Sequence, residues 1–194
     1  MTKIIGLTGG IGSGKTMVAE YIKSLGIPVY IADDEARELM TSVKIIKAIS
    51  SAFGNEVVDN GKLNREKLAQ LVFNNSEKLQ KLNSIVHPEV KKHFDTWVEK
   101  HKNSPFVVKE AAVLFESGSN NYCDAVITIT SPLETRLQRV MERDKTDRES
   151  VLKRMQNQWT DEQRIAKSDY VIHNLTVDAT KKQVDEILKL LKNQ

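Results

Sequence analysis

Five short apolar, β-branched runs punctuate the chain: Ile4 to Thr8, Pro28 to Ala32, Phe106 to Val108, Ala125 to Ile129 and Tyr170 to Ile172. Their length and composition predict strands buried on both faces. Helical patterns separate all of them. Leu133, Leu137, Val140 and Met141 keep an i, i+4, i+7, i+8 spacing, and Val184, Ile187, Leu188 and Leu191 keep i, i+3, i+4, i+7. Such faces belong to a core. Strands that alternate with helices predict an α/β protein: a five-stranded parallel sheet covered on both faces, with ligands at the carboxyl ends of the strands.

Two regions exceed a minimal strand-helix alternation. The first is a long helical insert from about Asp34 to His101, with turn-like stretches Phe53-Gly54-Asn55 and Asp59-Asn60-Gly61. In it Leu68, Leu71 and Val72, then Leu79, Leu82, Val86, Val90, Phe94 and Trp97, mark apolar faces. Pro88 interrupts the second series, which predicts one helix ending near Val86 and another with Pro88 in its first turn. The second region is the polar, helix-forming segment from Arg143 to Arg164. Internal repeats, low-complexity tracts and Gly/Ser linkers are absent from the sequence.

Composition narrows the class without naming a function. The 194 residues are 40% hydrophobic and 28% charged, which fits one domain with appendages, and the formal net charge of +3 is spread along the chain rather than clustered. That argues against a dedicated nucleic-acid binder. No apolar run approaches the roughly 20 residues of a membrane span, and the N-terminus lacks the basic flank and long apolar stretch of a signal peptide. A cytoplasmic protein is expected. The lone Cys123 reads as a small buried or half-buried side chain, since it cannot form an internal disulfide or a multi-cysteine metal site.

The chemistry begins at Leu7-Thr8-Gly9-Gly10-Ile11-Gly12-Ser13-Gly14-Lys15-Thr16. From Gly9 to Thr16 this is G-x-x-x-x-G-K-T, preceded by a strand run and opening a helical pattern, the context a phosphate-binding loop requires. Its glycines let successive backbone N–H groups approach phosphate oxygens. Lys15 adds a mobile positive charge, and the helix start adds uncovered N–H groups and the positive dipole end. Thr16 offers a hydroxyl to Mg²⁺, a hard ion that takes oxygen ligands. A nucleoside triphosphate with Mg²⁺ is the expected ligand, against the plainer reading of a glycine-rich turn.

What becomes of the γ-phosphate depends on residues elsewhere. The chain has no Asn-Lys-x-Asp guanine-reading tetrapeptide, and Phe106-Val107-Val108 runs into Lys109-Glu110 rather than the apolar-then-Asp pattern of motor and nucleic-acid ATPases. The second strand run ends in Ala32-Asp33-Asp34, which places carboxylates where an acceptor hydroxyl could be met. Either aspartate also suits the N-cap of the following helix. Arg136, Arg139 and Arg143 recur at spacings of three and four, which puts them on one helix face. That face is either solvated or turned to phosphate.

Taken together these stretches resemble the bacterial dephospho-CoA kinases over nearly the whole length. The resemblance rests on Leu7 to Thr16, Ala32-Asp33-Asp34-Glu35-Ala36-Arg37, His87-Pro88 and Val113-Leu114-Phe115-Glu116. It continues through Ser131-Pro132 to Arg139, Arg143-Asp144, and Ser168-Asp169-Tyr170-Val171-Ile172-His173-Asn174. It implies a P-loop kinase of three layers, with a core (about 1–33, 104–142 and 165–194), a helical CoA-binding insert (about 34–103) and a lid (about 143–164). The implied reaction moves the γ-phosphate of ATP, with Mg²⁺, to the 3′-hydroxyl of dephospho-CoA. Another small-molecule or nucleotide kinase, or a nucleotide-sensing NTPase, are the alternatives.

The same resemblance implies roles. Asp33, Lys15 and Arg139 would be catalytic. Thr8, Gly9, Gly10, Ile11, Gly12, Ser13, Gly14, Lys15, Thr16, Arg139 and Arg143 would hold the nucleotide, with Thr16 on the metal. Asp33, Arg37, His87 and Glu116 would meet dephospho-CoA, although Glu116 also reads as an N-terminal helix acid and His87 as a cap before Pro88. The partner implied is this small molecule, with no nucleic acid or membrane, in a monomer or weak homo-oligomer. The chain departs from the family pattern at Ala112, Leu175 and Ile31, and the last removes a polar group near the acceptor position.

Overall fold

The computed structural model describes residues 2–73 and 75–193, and they group into two compact units, one of Met1–Ile31 with His101–Gln194 and one of Ala32–Lys100. The first unit is built on a parallel sheet. Its strands are β1 (Lys3–Gly9), β2 (Val29–Ile31), β5 (Phe106–Glu110), β6 (Ala125–Thr130) and β7 (Tyr170–His173), in the order β2-β5-β1-β6-β7. Each of the five strand runs read from the sequence is present, displaced at its ends by a residue or two.

Central β1 pairs with β5 from Lys3↔Phe106 to Leu7↔Glu110 and with β6 from Ile5↔Ala125 to Gly9↔Ile129. A strand flanked on both sides has no wet edge, and accordingly Ile5, Leu7 and Thr8 are wholly buried. Two helices supply the apolar stripe for one core: α1 (Lys15–Ser24) through Val18, Ala19 and Ile22, and α9 (Val177–Lys192) through Val184, Ile187, Leu188 and Leu191. A second cluster joins Leu137 and Val140 of α6 (Leu133–Asp144) to Val151 of α7 (Arg148–Gln156), with Ile11 packed against it. A five-residue helix, α8 (Asp161–Ile165), is closed at its start by a capping box between Thr160 and Gln163. No helix among the described residues is long and apolar enough to cross a membrane.

The second unit carries its own core. Helices α2 (Ala32–Leu39), α3 (Val43–Phe53), α4 (Arg65–Phe73) and α5 (Ser76–Lys100) gather Ile45, Ile49, Val57, Leu68, Val72 and Val86. The insert is not wholly helical. Asp59-Asn60-Gly61 turns a small hairpin of β3 (Val58–Asp59) and β4 (Lys62–Leu63), with Asn60 at φ 50° and Gly61 at φ 76°. Two successive positive φ angles are what a tight two-residue hairpin needs, and Asn-Gly supplies them.

The predicted break at Pro88 is corrected: α5 runs unbroken through it. The proline removes the bond to the Ser84 carbonyl, but Ser84, His87 and Pro88 lie on the exposed face, where solvent can reach the backbone. On the opposite face Leu82, Ile85, Val86 and Val90 all pack into one core, and keeping that face continuous outweighs one lost bond. His87 is therefore a mid-helix residue rather than a cap. Pro88→Ala restores the missing N–H, so chemical denaturation is expected to show a gain of up to about 3 kcal/mol.

Cys123 is half-buried, with its thiol donating to the Ser119 carbonyl at 3.6 Å. Burial, with a smaller push from Asp124, raises that thiol from near 9 to about 11. An unfolded chain releases the proton earlier, so this group's contribution to stability is complete below about pH 9 and declines as pH rises toward 11. Urea midpoints measured across that window should fall more steeply in the natural protein than in Cys123→Ser.

Candidate active site

The phosphate-loop motif forms the turn from β1 into α1, and its carbonyls determine what it can hold. From Gly9 to Ser13 every backbone oxygen accepts a hydrogen bond from the protein. Gly9 takes Lys15 Nζ at 3.0 Å, Gly10 takes the Ser13 N–H at 3.1 Å, and Ile11 takes Arg136 Nε at 2.9 Å. Gly12 takes an Arg139 guanidinium nitrogen at 3.4 Å, and Ser13 takes Asn174 Nδ2 at 2.8 Å. Oxygens that would repel phosphate are thus already occupied.

The start of α1 completes the anion site. Gly14 is its N-cap, at φ 96°, with no side-chain cap bond and no acidic residue in the first turn. The N–H groups there and the positive helix end are left for a ligand. A Cβ on Gly14 would drive into the Asn174 amide, so the close approach itself requires glycine. Ser13 Oγ is buried without a hydrogen-bond partner among the described residues, and Thr16 is exposed. These features fit a triphosphate. No group of three or more His, Cys, Asp or Glu among the described residues could hold a metal. Mg²⁺ binds through one or two protein oxygens, substrate phosphates and water, and the exposed Thr16 hydroxyl is an oxygen of that kind.

Lys15 lies near Glu110, the last residue of β5, with Nζ 4.0 Å from Oε1 and both side chains mostly buried. Glu110 is not among the residues the sequence points to, because the apolar run ends at Val108 and the strand goes on for two charged residues beyond it. From the sequence Asn174 and Arg136 have no role of their own, and their contacts with the Ser13 and Ile11 carbonyls bring them to the loop.

The other predicted residues fall as follows. Thr8 is wholly buried and donates its hydroxyl to the Ala111 carbonyl at 2.9 Å, locking β1 to the chain beyond β5. The three arginines of α6 do not form one solvated face. Arg136 is buried and Arg139 half-buried against the loop, whereas Arg143 is exposed and binds Asp144 through two nitrogens at 2.7 and 3.1 Å. Arg143, and then Arg154, hold the Asp144 carboxyl well below the usual carboxylate range.

Glu116 lies in a turn, not at a helix start. Its Oε1 accepts the Trp159 N–H at 2.9 Å and Arg164 at 3.2 Å. Arg164 is fully buried, and desolvation pulls its pKa down against the opposing pull of Glu116 and Asp161. Trp159 stacks on Phe115 at a centroid distance of 5.4 Å.

In the second unit, the N-cap reading of Asp33 and Asp34 is corrected. The chain passes from β2 into α2 without a loop residue, so both acids lie in the first turn, where their charge favours the positive helix end. Asp34 accepts from Arg37 at 2.8 Å, while the exposed Asp33 has no hydrogen-bond or ion-pair partner among the described residues. Arg37 and His87 are exposed as well.

Comparison with known proteins follows this geometry. A family model described as dephospho-CoA kinase matches residues 3–179. A dephospho-CoA kinase of Fusobacterium nucleatum is 42% identical over 172 residues, covering 88% of this chain and 89% of its own. Among solved structures, a Thermus thermophilus protein superposes with TM-score 0.90 at 32% identity, covering 97% of both chains. A dephospho-CoA kinase from Campylobacter jejuni gives TM-score 0.73 at 26% identity, covering 100% of this chain and 98% of its own.

Proposed function

The chain belongs to the dephospho-CoA kinase family, whose reaction is the final step of coenzyme A biosynthesis, and from that premise we propose which of its residues perform the transfer. The acceptor is the 3′-hydroxyl of dephospho-CoA. Its oxygen bonds to the γ-phosphorus of ATP as the bond to the β-γ bridging oxygen breaks, so CoA and ADP leave. The observation that carries the reading is the loop whose carbonyls are all turned to protein donors, leaving N–H groups, the α1 start and Lys15 for phosphate.

Lys15 is held over its own loop by the Gly9 carbonyl and balanced by Glu110. On binding, its ammonium exchanges that carbonyl for phosphate oxygens, following the charge as it moves from the transferred group to the leaving ADP. Mg²⁺, when bound, neutralises phosphate charge, and Thr16 Oγ1 is the protein oxygen suited to hold it. Arg139, already at the Gly12 carbonyl, adds positive charge at the loop, and Arg143 reaches the nucleotide once it leaves Asp144. Gly9 through Gly14 cradle the phosphates, with Thr8 as a buried brace.

Asp33 orients the acceptor hydroxyl and takes its proton. Its position two residues beyond β2 and its lack of a competing partner among the described residues support this. Transfer through a loose transition state leaves the proton on the hydroxyl until late, so orientation is the larger part of the task. Arg37 and His87 are exposed on the insert, which we propose holds dephospho-CoA. Glu116 acts indirectly, by seating the segment around Trp159 and Arg164. The stretch 143–164 serves as the lid that excludes water and so protects the γ-phosphate from hydrolysis.

Incubating the protein with ATP, Mg²⁺ and dephospho-CoA should yield CoA and ADP in equal amounts. A hydroxyl acceptor preferred over dephospho-CoA in a substrate panel would overturn the assignment.

A further inference from the structure

The loop is rich in glycine, with Gly9, Gly10, Gly12 and Gly14 within six positions, so its ligand-ready shape carries a large entropic cost. Something outside must hold it. Ile11, at mid-loop, is bound at both of its backbone polar groups by side chains from elsewhere. Its N–H donates to Gln158 Oε1 at 3.0 Å and its carbonyl accepts Arg136 Nε at 2.9 Å. Arg136 in turn donates to Asp161 Oδ2 at 2.8 Å, an oxygen that also accepts the Thr130 hydroxyl at 2.6 Å. The Arg136 guanidinium fills the space a Cβ on Gly10 would need.

We infer that Gln158 and Arg136 are positioning residues for the phosphate loop, and that through Asp161 they tie the loop's shape to the seating of α8. The inference rests on the proposed kinase reading and extends it to residues that reading does not use. Arg136, Asp161, Arg164 and Glu116 form an alternating chain of charges, each in contact with the next. One end fixes Ile11 and the other fixes the Trp159 N–H. Between them, Gln158 is set at the Ile11 amide. If the segment 156–165 shifts, the acceptor of the Ile11 N–H and the carboxylate that steadies Arg136 move together. Seating of the segment and readiness of the loop for phosphate are then one event rather than two.

Gln158→Ala removes the acceptor and leaves the backbone bond from the Gln158 N–H to Met155 in place. The expected result is a fall of about tenfold in kcat, weaker MgADP binding by calorimetry, an unchanged KM for dephospho-CoA and an unchanged nucleotide-free Tm. Arg136→Lys keeps the charge but cannot span Ile11 and Asp161 together, so it should show the same losses in kcat and MgADP affinity, with a lower Tm because a buried contact is broken. Because both act on one residue, the double variant should lose less than the product of the single losses. Wild-type kcat and MgADP affinity in Gln158→Ala would overturn the inference, as would strictly multiplicative losses. If the natural protein makes no CoA, the kinase reading fails by itself, and MgADP affinity still decides the positioning roles.

Discussion

Asp33→Asn is expected to lower kcat for CoA formation by about 10²–10⁴-fold while leaving ATP binding close to that of the natural protein. Asparagine keeps the size, but one carboxylate oxygen becomes an NH₂ donor and the charge is lost, so it neither orients the hydroxyl as aspartate does nor takes the proton. Asp33 is exposed and has no partner among the described residues, so its replacement breaks no contact that supports the fold. A drop in turnover with an unchanged Tm therefore isolates the chemical step. Asp34→Asn is the natural control, since it removes only an exposed pair with Arg37, a type of interaction worth little. Full activity in Asp33→Asn would show the base assignment to be wrong, and an equal loss in both variants would move the effect from chemistry to the α2 start.

The second large effect is expected at Lys15. Lys15→Ala should reduce kcat/KM for ATP by at least about 10²–10³-fold, because it removes the ammonium held at the loop by the Gly9 carbonyl. Lys15→Arg should not restore it, since a planar guanidinium on a longer stem differs in shape from a compact ammonium. A structural consequence accompanies the kinetic one. Removing Lys15 takes one opposite charge away from the mostly buried Glu110, so Tm should fall in Lys15→Ala and recover in part when Glu110→Gln is added. Turnover should not recover in that double variant, which separates the role of the lysine as a counter-charge from its role on phosphate.

Periodicity and a single motif carried most of the architecture. The five strands were legible because each is a continuous apolar run, which a strand buried on both faces must be, and the loop was legible because its glycines and lysine are required by backbone geometry. Pro88 misled because its local cost is visible in sequence, while the continuous apolar face that outweighs it is a tertiary property. The N-cap reading of Asp33 and Asp34 failed for a related reason: a helix that begins directly from a strand leaves no capping residue to find. Around the site, Lys15 and the loop were readable, whereas Glu110, Asn174, Arg136 and Gln158 were not assigned to it. Their roles come from partners on distant stretches of chain, and one sequence does not record which residues meet.

The pairing of β1 has a consequence for how the protein comes into being. Both neighbours of β1 are more than 100 residues away in the chain, Lys3 pairing with Phe106 and Ile5 with Ala125. The unit from Ala32 to Lys100 is instead built from helices and a hairpin that are close neighbours in sequence. Local contacts form early and distant strand pairings late, so during synthesis the insert is expected to take shape first. At roughly 5–20 residues per second, the start of the chain waits on the order of 6–25 s for β6 to be made, and the donors Arg136 and Asn174 come later still. A ribosome-bound fragment ending near Lys100 would hold a folded helical unit but no means of gripping ATP. Nucleotide therefore rewards only the nearly finished chain, acting as a late check on assembly rather than a guide to it.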